Sequence, residues 1–192
     1  MSSKAARNEQ KAKLYKAKIA EYDELIKNRV LTYLKAAKEA ELRSEFPLAL
    51  MRINCFEMYD CLGQVNAFFS EAADYVLSVN ASVFFGLYDK LCEYIDKLAA
   101  QVLHHHIGVK SYKPELKVFT KLLHEIEISF AAATGNKNNG ISNKMYSIFI
   151  KKQGFFARLL SKRKTTELQY EQKRQALSER ISYYKELKDR QQ

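Results

Sequence analysis

Apolar residues recur at steps of three and four along most of this chain, which is the spacing of one helical face. The first such stretch forms a narrow seam between charged faces, and a narrow seam must lie on a neighbouring element. The pattern therefore predicts a long amphipathic first helix that packs against the rest of the molecule. Its seam positions are Tyr15, Ile19, Tyr22, Ile26, Val30, Tyr33 and Ala37.

A second stretch keeps the same spacing over more than four heptads and carries additional apolar residues beside its main line. A helix that is apolar around much of its circumference is buried. We therefore expect the centre of a helical bundle within residues 48–103, and the pattern leaves open whether these residues form one helix or two. The main line consists of Met51, Cys55, Met58, Leu62, Val65, Phe69, Ala72, Val76, Val79 and Val83.

The whole pattern predicts an all-α fold, an elongated bundle of five or six helices whose first and last helices resemble coiled coils. Six Gly and two Pro are few for a chain of 192 residues, and this scarcity favours long helices. We divide the chain into a polar, frayed N-terminus at 1–13, a bundle core at 14–132 and a flexible loop at 133–143. A basic amphipathic helix at 144–164 and a C-terminal coiled-coil-like helix at 165–192 follow.

The last predicted helix has a thin apolar seam within a surface of mixed charge. A thin seam is typical of a coiled-coil arm, which either folds back along the first helix or pairs between protomers. We predict self-association through this seam, and hence a homo-oligomer. The C-terminal seam consists of Tyr170, Leu177, Ile181 and Tyr184.

Positive charge is concentrated in one part of the chain. Residues 128–166, the acid-free run, contain eight Lys or Arg and no Asp or Glu, which accounts for +8 of the formal charge of +10. Such a field suits an anionic partner, whether a lipid surface, a nucleic acid or an acidic protein.

Residues 144–164, the basic segment, place cations on one helical face and apolar residues on another, as in helices that lie on a membrane surface. The alternative is that the apolar face packs into the bundle and the cations are solvated. For anionic-surface binding we predict Lys144, Lys151, Lys152, Arg158, Lys162, Arg163 and Lys164. For apolar insertion we predict Phe149, Phe155, Phe156, Leu159 and Leu160.

In composition the basic segment resembles the basic aromatic effector segments of peripheral membrane proteins and the targets of calmodulin. The long helices with basic surfaces resemble helical membrane-remodelling scaffolds such as BAR domains. We therefore favour a non-catalytic scaffold or adaptor that docks on an anionic membrane surface. A nucleic-acid-associated helical protein and an adaptor for an acidic protein are the alternatives, because phosphates or carboxylates could meet the same cations.

The sequence contains no arrangement of residues that indicates a reaction, so we predict no enzyme, no cofactor and no small-molecule substrate. His104, His105 and His106 are consecutive, and consecutive helical positions point about 100° apart, so they cannot converge on a metal ion. His124 and Glu127 have ligand spacing, but two ligands make no site. We therefore predict no metal.

Three cysteines, Cys55, Cys61 and Cys92, lie in apolar surroundings without the paired spacing of a zinc site. They are expected to be buried thiols in a reducing compartment, which favours the cytoplasm. No stretch of about 18 apolar residues is present, so any membrane contact is expected to be peripheral.

Overall fold

A computed structural model of the chain describes residues 2–103, 113–151 and 166–190. This part of the chain is helical and contains no strand, which confirms the all-α class. It contains more helices than the five or six predicted, because several predicted helices are interrupted. The elements are α1 (Ser2–Leu42), α2 (Phe46–Glu71), α3 (Ala73–Val76), α4 (Ala81–Leu103), α5 (Lys113–Thr134), α6 (Ile141–Met145), the π-helical segment π1 (Tyr146–Lys151), α7 (Thr166–Ala176) and α8 (Ser178–Asp189).

Helix α1 is 41 residues long, or about 60 Å at 1.5 Å per residue. It begins at Ser2, so the N-terminus predicted as frayed is helical from that residue, as its Ala and Lys residues favour. Five of the seven predicted seam positions are buried, and Tyr15 and Tyr22 pack half-buried against the same core. The buried positions are Ile19, Ile26, Val30, Tyr33 and Ala37. The helix ends before Ser44, whose φ of 57° lies in the left-handed region and turns the chain toward α2.

Helix α2 is the centre of the bundle, and it contacts α1, α4, α6, π1 and α7. The apolar line predicted for it is confirmed from Cys55 to Phe69, because every member of the line between these two residues is buried. Burial extends around the rest of the helix to Phe56 and Tyr59, which are 0% and 1% exposed. The sequence therefore located the core of the bundle correctly.

Residues 48–103 form neither one helix nor two, because the chain turns twice within them. The helical pattern is interrupted at Ala72 and again between α3 and α4, where Asn80 has a φ of 20°. The apolar line stays buried across the first interruption, since Val76 is 2% exposed. Val79 and Val83, which were predicted to continue the line, lie on either side of the turn at Asn80 and are 41% and 48% exposed.

Aromatic side chains join α4 and α5 to the centre. The ring of Phe84 in α4 lies 4.2 Å from that of Phe69 in α2 and 4.6 Å from that of Phe119 in α5. Farther along, the ring of Phe130 meets that of Phe68 edge-on at 5.5 Å. These contacts fix α5 beside α2, and α5 in turn positions α6 and π1.

The predicted last helix is divided at Leu177, whose φ of −103° and ψ of 8° interrupt the helical geometry between α7 and α8. All four residues of the C-terminal seam are buried within this one chain, at 2% to 8% exposure. The seam is therefore intramolecular in this structure, which corrects the intermolecular role predicted for it. Self-association stays a prediction that would need another surface.

Candidate anionic-surface site

The first part of the basic segment packs into the bundle. Its apolar residues Met145, Ile148, Phe149 and Ile150 are at most 7% exposed, and they belong to the same core as α2 and α5. Phe149 is therefore a core residue, which corrects its predicted insertion into a membrane. For residues 145–150 the structure supports the alternative in which the apolar face packs against the bundle.

The helix changes from α to π geometry at Tyr146, where the hydrogen bonds span five residues instead of four. Ile148, Phe149 and Ile150 are consecutive and all buried, whereas Tyr146 is 40% exposed and Ser147 is exposed. Three consecutive side chains span a wide sector of any helix. Most of the circumference of this segment is therefore buried, and only a narrow face, which includes Tyr146 and Ser147, is exposed to solvent.

Lys144 is directed toward the body of the protein as well as toward solvent. Its Nζ donates to Oε1 of Gln64 at 3.2 Å and lies 3.9 Å from Oδ2 of Asp60, and its side chain is 37% exposed. The ammonium thus interacts with a carboxylate of α2, so part of its charge is already balanced. Lys144 is the predicted surface cation whose side chain the structure describes, and this side chain is half-buried.

Asp60 is a fully buried carboxylate at the centre of this region. It accepts hydrogen bonds from Nε and Nη2 of Arg180 at 3.0 and 2.6 Å, from the Tyr184 hydroxyl at 3.1 Å, and from Nε2 of Gln64 at 2.7 Å. A buried carboxylate requires such partners, because desolvation is costly. Asp60 therefore links α2 to both α8 and the start of the basic segment.

The environment of Asp60 also affects the groups around it. Burial lowers the pKa of Arg180, but its hydrogen bonds and charge interaction with Asp60 raise it more, so the net shift is upward. Burial and the negative charge of Asp60 raise the pKa of Tyr184. A Cβ atom added at Gly63 would lie 3.2 Å from the Tyr184 hydroxyl, which is closer than an ordinary van der Waals contact. Glycine at this position lets α8 approach α2 closely.

The last acidic residue before the acid-free run is used inside the protein. Glu127 is 1% exposed, and its carboxylate accepts hydrogen bonds from the backbone N–H of Ile141 at 2.7 Å and of Ser142 at 3.2 Å. These are the first N–H groups of α6, so Glu127 caps that helix. Its charge is therefore directed inward and does not balance the basic surface.

A histidine completes the cluster at the start of α6. Nδ1 of His124 lies 3.1 Å from Oγ of Ser142, and that hydroxyl donates to Glu127 at 2.5 Å. The residue types match those of a hydrolytic triad, but the carboxylate contacts the serine instead of orienting the histidine. Ser142 is also 1% exposed. The cluster is a helix cap, and sequence reasoning noted only its His124–Glu127 spacing.

The chain that follows the basic segment is attached to the body by charged contacts. Lys173 pairs with Glu57, and both the Tyr170 hydroxyl, at 2.9 Å, and Nη1 of Arg174, at 2.7 Å, contact the carboxylate of Glu41. Burial and the hydrogen bond to Glu41 raise the pKa of Tyr170 to about 12. The described residues before position 152 and after position 165 are thus attached to α1 or α2.

The remaining predicted site residues lie at or beyond the end of the described part of the basic segment. The backbone of Lys151 ends π1, and its side chain is not described. The other predicted cations and apolar residues lie outside the described residues. They are Lys152, Phe155, Phe156, Arg158, Leu159, Leu160, Lys162, Arg163 and Lys164.

Within the described ranges no group of three or more His, Cys, Asp or Glu side chains could hold a metal ion. A groove of about 540 Å³ lies between α1 and α2, lined by Lys16, Asp23, Asn66 and Glu71 among others. The two polar atoms of the Asn66 side chain already bond the Ile19 carbonyl and the Tyr88 hydroxyl. The lining of the groove includes no nucleophile paired with a base.

Among the described residues no helix is long and apolar enough to cross a membrane.

No protein-family model, no curated protein and no solved structure matches this chain. The features of this chain that bear on its function are therefore its distribution of charge and the contacts described above.

Proposed function

We propose that this protein is a non-catalytic helical scaffold that docks peripherally on an anionic membrane surface through its basic segment. The observation that carries the proposal is the acid-free run, whose eight cations are accompanied by no acidic residue in the sequence. Its described parts before residue 152 and after residue 165, the two flanks, are attached to the bundle at α1, α2 and α5.

The first flank is held by apolar burial and by a buried carboxylate. Phe149 is 2% exposed, and Lys144 lies 3.9 Å from Asp60. The second flank is held by Thr166, which is 4% exposed, and by Tyr170, which bonds Glu41. Between residues 151 and 166 the sequence has six cations and no acidic residue.

The burial of residues 145–150 changes the balance between charge and insertion. Because Phe149 is in the core, apolar insertion is limited to Phe155, Phe156, Leu159 and Leu160. Near an anionic bilayer each Lys or Arg contributes about 1 kcal/mol before screening, so six cations supply most of the attraction. Docking should therefore weaken with salt, and the aromatic residues should preserve part of it.

The test is co-sedimentation of the full chain with vesicles of phosphatidylcholine alone and with vesicles that also contain phosphatidylserine. We expect binding to the anionic vesicles only, reduced but not abolished at physiological salt. Replacing Lys162, Arg163 and Lys164 together by Ala should lower the affinity by about tenfold to a hundredfold. Lys113, Lys117 and Lys121 on α5 are exposed, and their triple Ala variant is the control for net charge.

Duplex DNA and a polyglutamate peptide, added as competitors, distinguish the alternative partners. Replacing Phe155 and Phe156 by Ala keeps the charge, so membrane docking should fall while DNA binding should barely change. Binding to DNA that exceeds binding to anionic vesicles would replace the membrane proposal by the nucleic-acid alternative. Preferential binding to polyglutamate would indicate an acidic protein partner.

A further inference from the structure

Helix α1 carries a second periodic row of residues, on the side that faces solvent. This row, the outer stripe, advances by alternating steps of four and three, which is the spacing of a coiled-coil heptad. Leu14 precedes Tyr15 and Leu25 precedes Ile26 by one position, so the stripe lies about 100° around the helix from the buried seam. Lys18 is half-buried and the other members are exposed. The members are Arg7, Lys11, Leu14, Lys18, Glu21, Leu25, Asn28 and Thr32.

Two leucines in the outer stripe are exposed to solvent. Leu14 is 68% exposed and Leu25 is 38% exposed. They lie about three helical turns apart, because eleven positions separate them. A single exposed leucine needs no explanation, but leucines at the a and d positions of one heptad row form the core between paired helices. The stripe therefore has the apolar positions of a contact between two helices.

The two stripe residues between these leucines, Lys18 and Glu21, have opposite charge. Nζ of Lys18 donates to Oδ2 of Asp89 at 2.7 Å and lies 5.7 Å from the centre of the Tyr22 ring, so its position is well defined. An ammonium has three N–H groups, so Lys18 can donate to a further carboxylate. Glu21 is exposed, and within the described residues no ion pair involves it. The order leucine, cation, anion, leucine is therefore complementary to its own reverse.

This order favours one arrangement of two copies, in which their α1 helices run antiparallel. Leu14 then lies opposite Leu25 of the second copy. Lys18 lies opposite Glu21 of the second copy, and symmetry repeats each contact. A parallel pair would instead place each residue opposite itself, with like charges in contact. Sliding one antiparallel helix by a heptad in either direction would place Leu25 opposite Arg7 or Glu21, so the leucines also define the register.

The charges around the midpoint of this pair agree with the same arrangement. Residues 20–26 contain three acidic residues and no cation, whereas residues 13–19 contain three cations and no acidic residue. In the antiparallel pair each stretch lies opposite the other stretch of the second copy. Lys16 and Asp23 also have ion pairs within their own chain, but their side chains remain 59% and 43% exposed. Opposite charges on facing stretches favour the association and define its direction.

We propose that the outer stripe is a self-association surface, on which α1 of a second copy lies antiparallel. The stripe shares no residue with the acid-free run, so this inference is independent of membrane docking. It supplies the surface that self-association requires, since the C-terminal seam is buried within one chain. The contact has two leucine layers and two ion-pair layers. Partly exposed ion pairs contribute little, so we expect a weak dimer that forms in the micromolar range.

The test is sedimentation velocity of the full chain without lipid, over a range of micromolar concentrations. The unmodified protein should change from a monomer of 22.3 kDa to a dimer as its concentration rises. Leu14→Glu alone and Leu25→Lys alone each place a charge opposite a leucine, which should raise the dissociation constant by about tenfold or more. The two changes together place opposite charges across both leucine layers. This double variant should therefore dimerise at least about fivefold more tightly than either single variant.

Val118→Glu and Ile128→Lys on α5 are the matched controls, because these side chains are 50% and 49% exposed and lie outside the stripe. Each control should leave the dissociation constant unchanged. The stripe variants should keep the circular dichroism spectrum, since Leu14 and Leu25 are exposed. A protein that stays monomeric, a dimer that tolerates both single changes, or a double variant no tighter than the single ones would overturn the inference. None of these outcomes concerns vesicle binding, which tests the proposed function separately.

Discussion

Helix α2 is held on one side mainly by apolar packing and on another by apolar packing combined with ion pairs. Against α1 its neighbours are buried apolar residues such as Ile26 and Val30, at 1% and 0% exposure. Against α7 and α8 its carboxylates Glu57 and Asp60 pair with cations beside the buried C-terminal seam. Apolar packing depends little on screening by salt, whereas the pair of Asp60 with Arg180, whose side chain is 35% exposed, is screened in part. Raising the salt concentration should therefore weaken the contacts of α2 with α7 and α8 more than its contacts with α1.

The largest effect is expected on the apolar side. Replacing Ile26 by Ala removes buried methyl groups and leaves a cavity, which should lower the free energy of unfolding by about 3 kcal/mol. Chemical denaturation at low and high salt should show the same loss. A loss that depends strongly on salt would mean that this side also relies on charge.

A smaller effect is expected on the charged side, at Asp60. The change Asp60→Asn keeps the size of the side chain but removes the charge that pairs with Arg180, whose side chain is 35% exposed. We expect a loss of about 2 kcal/mol, less than for a fully buried pair, because part of Arg180 returns to water. Hydrogen exchange should show faster exchange in α8 than in α1.

The matched control for that change is Asp89→Asn, whose ion pair with Lys18 is more exposed. Because exposed pairs contribute little, this variant should lose less than about 1 kcal/mol. Equal losses in the two variants would contradict the special role of the buried carboxylate.

Acid should loosen α7 before it opens the core. Burial would raise the pKa of Glu41, but the Tyr170 hydrogen bond and the charges of Arg174 and Lys38 lower it below its ordinary 4.5. A depressed folded-state pKa stabilises above pH 4.5, and this contribution is lost as the pH falls through the folded value. Amide hydrogen exchange in α7 should therefore become faster as the pH falls below 4.5, and Glu41→Gln should reduce this dependence on pH.

The smallest effect is expected at the cysteines, which report on opening of the core. Burial raises the pKa of Cys55 and Cys61 to about 12, so reactive thiolate is scarce until the core opens. Reaction with a thiol reagent at pH 8 should be slow and unchanged by high salt, even where salt loosens α8. Rapid reaction in high salt would show that the charged side also closes the core.

The sequence predicted what depends on local periodicity. The seam of α1 and the line from Cys55 to Phe69 follow the helical repeat of apolar residues, which can be recognised within a short stretch of sequence. The interruptions at Ala72 and Leu177 carry no Gly or Pro, so no local signal marked them. Val83 was wrongly expected to continue the apolar line, because the pattern of apolar residues continues across the turn at Asn80.

The candidate site was predicted less completely, because its geometry depends on pairs that are distant in sequence. Asp60 contacts Arg180, 120 positions away, and Lys144, 84 positions away. Nothing in the sequence near Asp60 distinguishes it from an acidic residue exposed to solvent. Phe149 illustrates the same limit, since an apolar helical face can meet a membrane or a core with the same pattern. Only the acid-free run itself was evident from composition.

The most direct measurement of the central claim is the affinity of the full chain for phosphatidylserine-containing vesicles at physiological salt. It should be made beside the variant in which Lys162, Arg163 and Lys164 are replaced by Ala and the triple variant on α5. The account predicts vesicle binding that falls by about tenfold or more in the first variant and is retained in the second. Equal binding by all three proteins, or no binding by the unmodified chain, would contradict it.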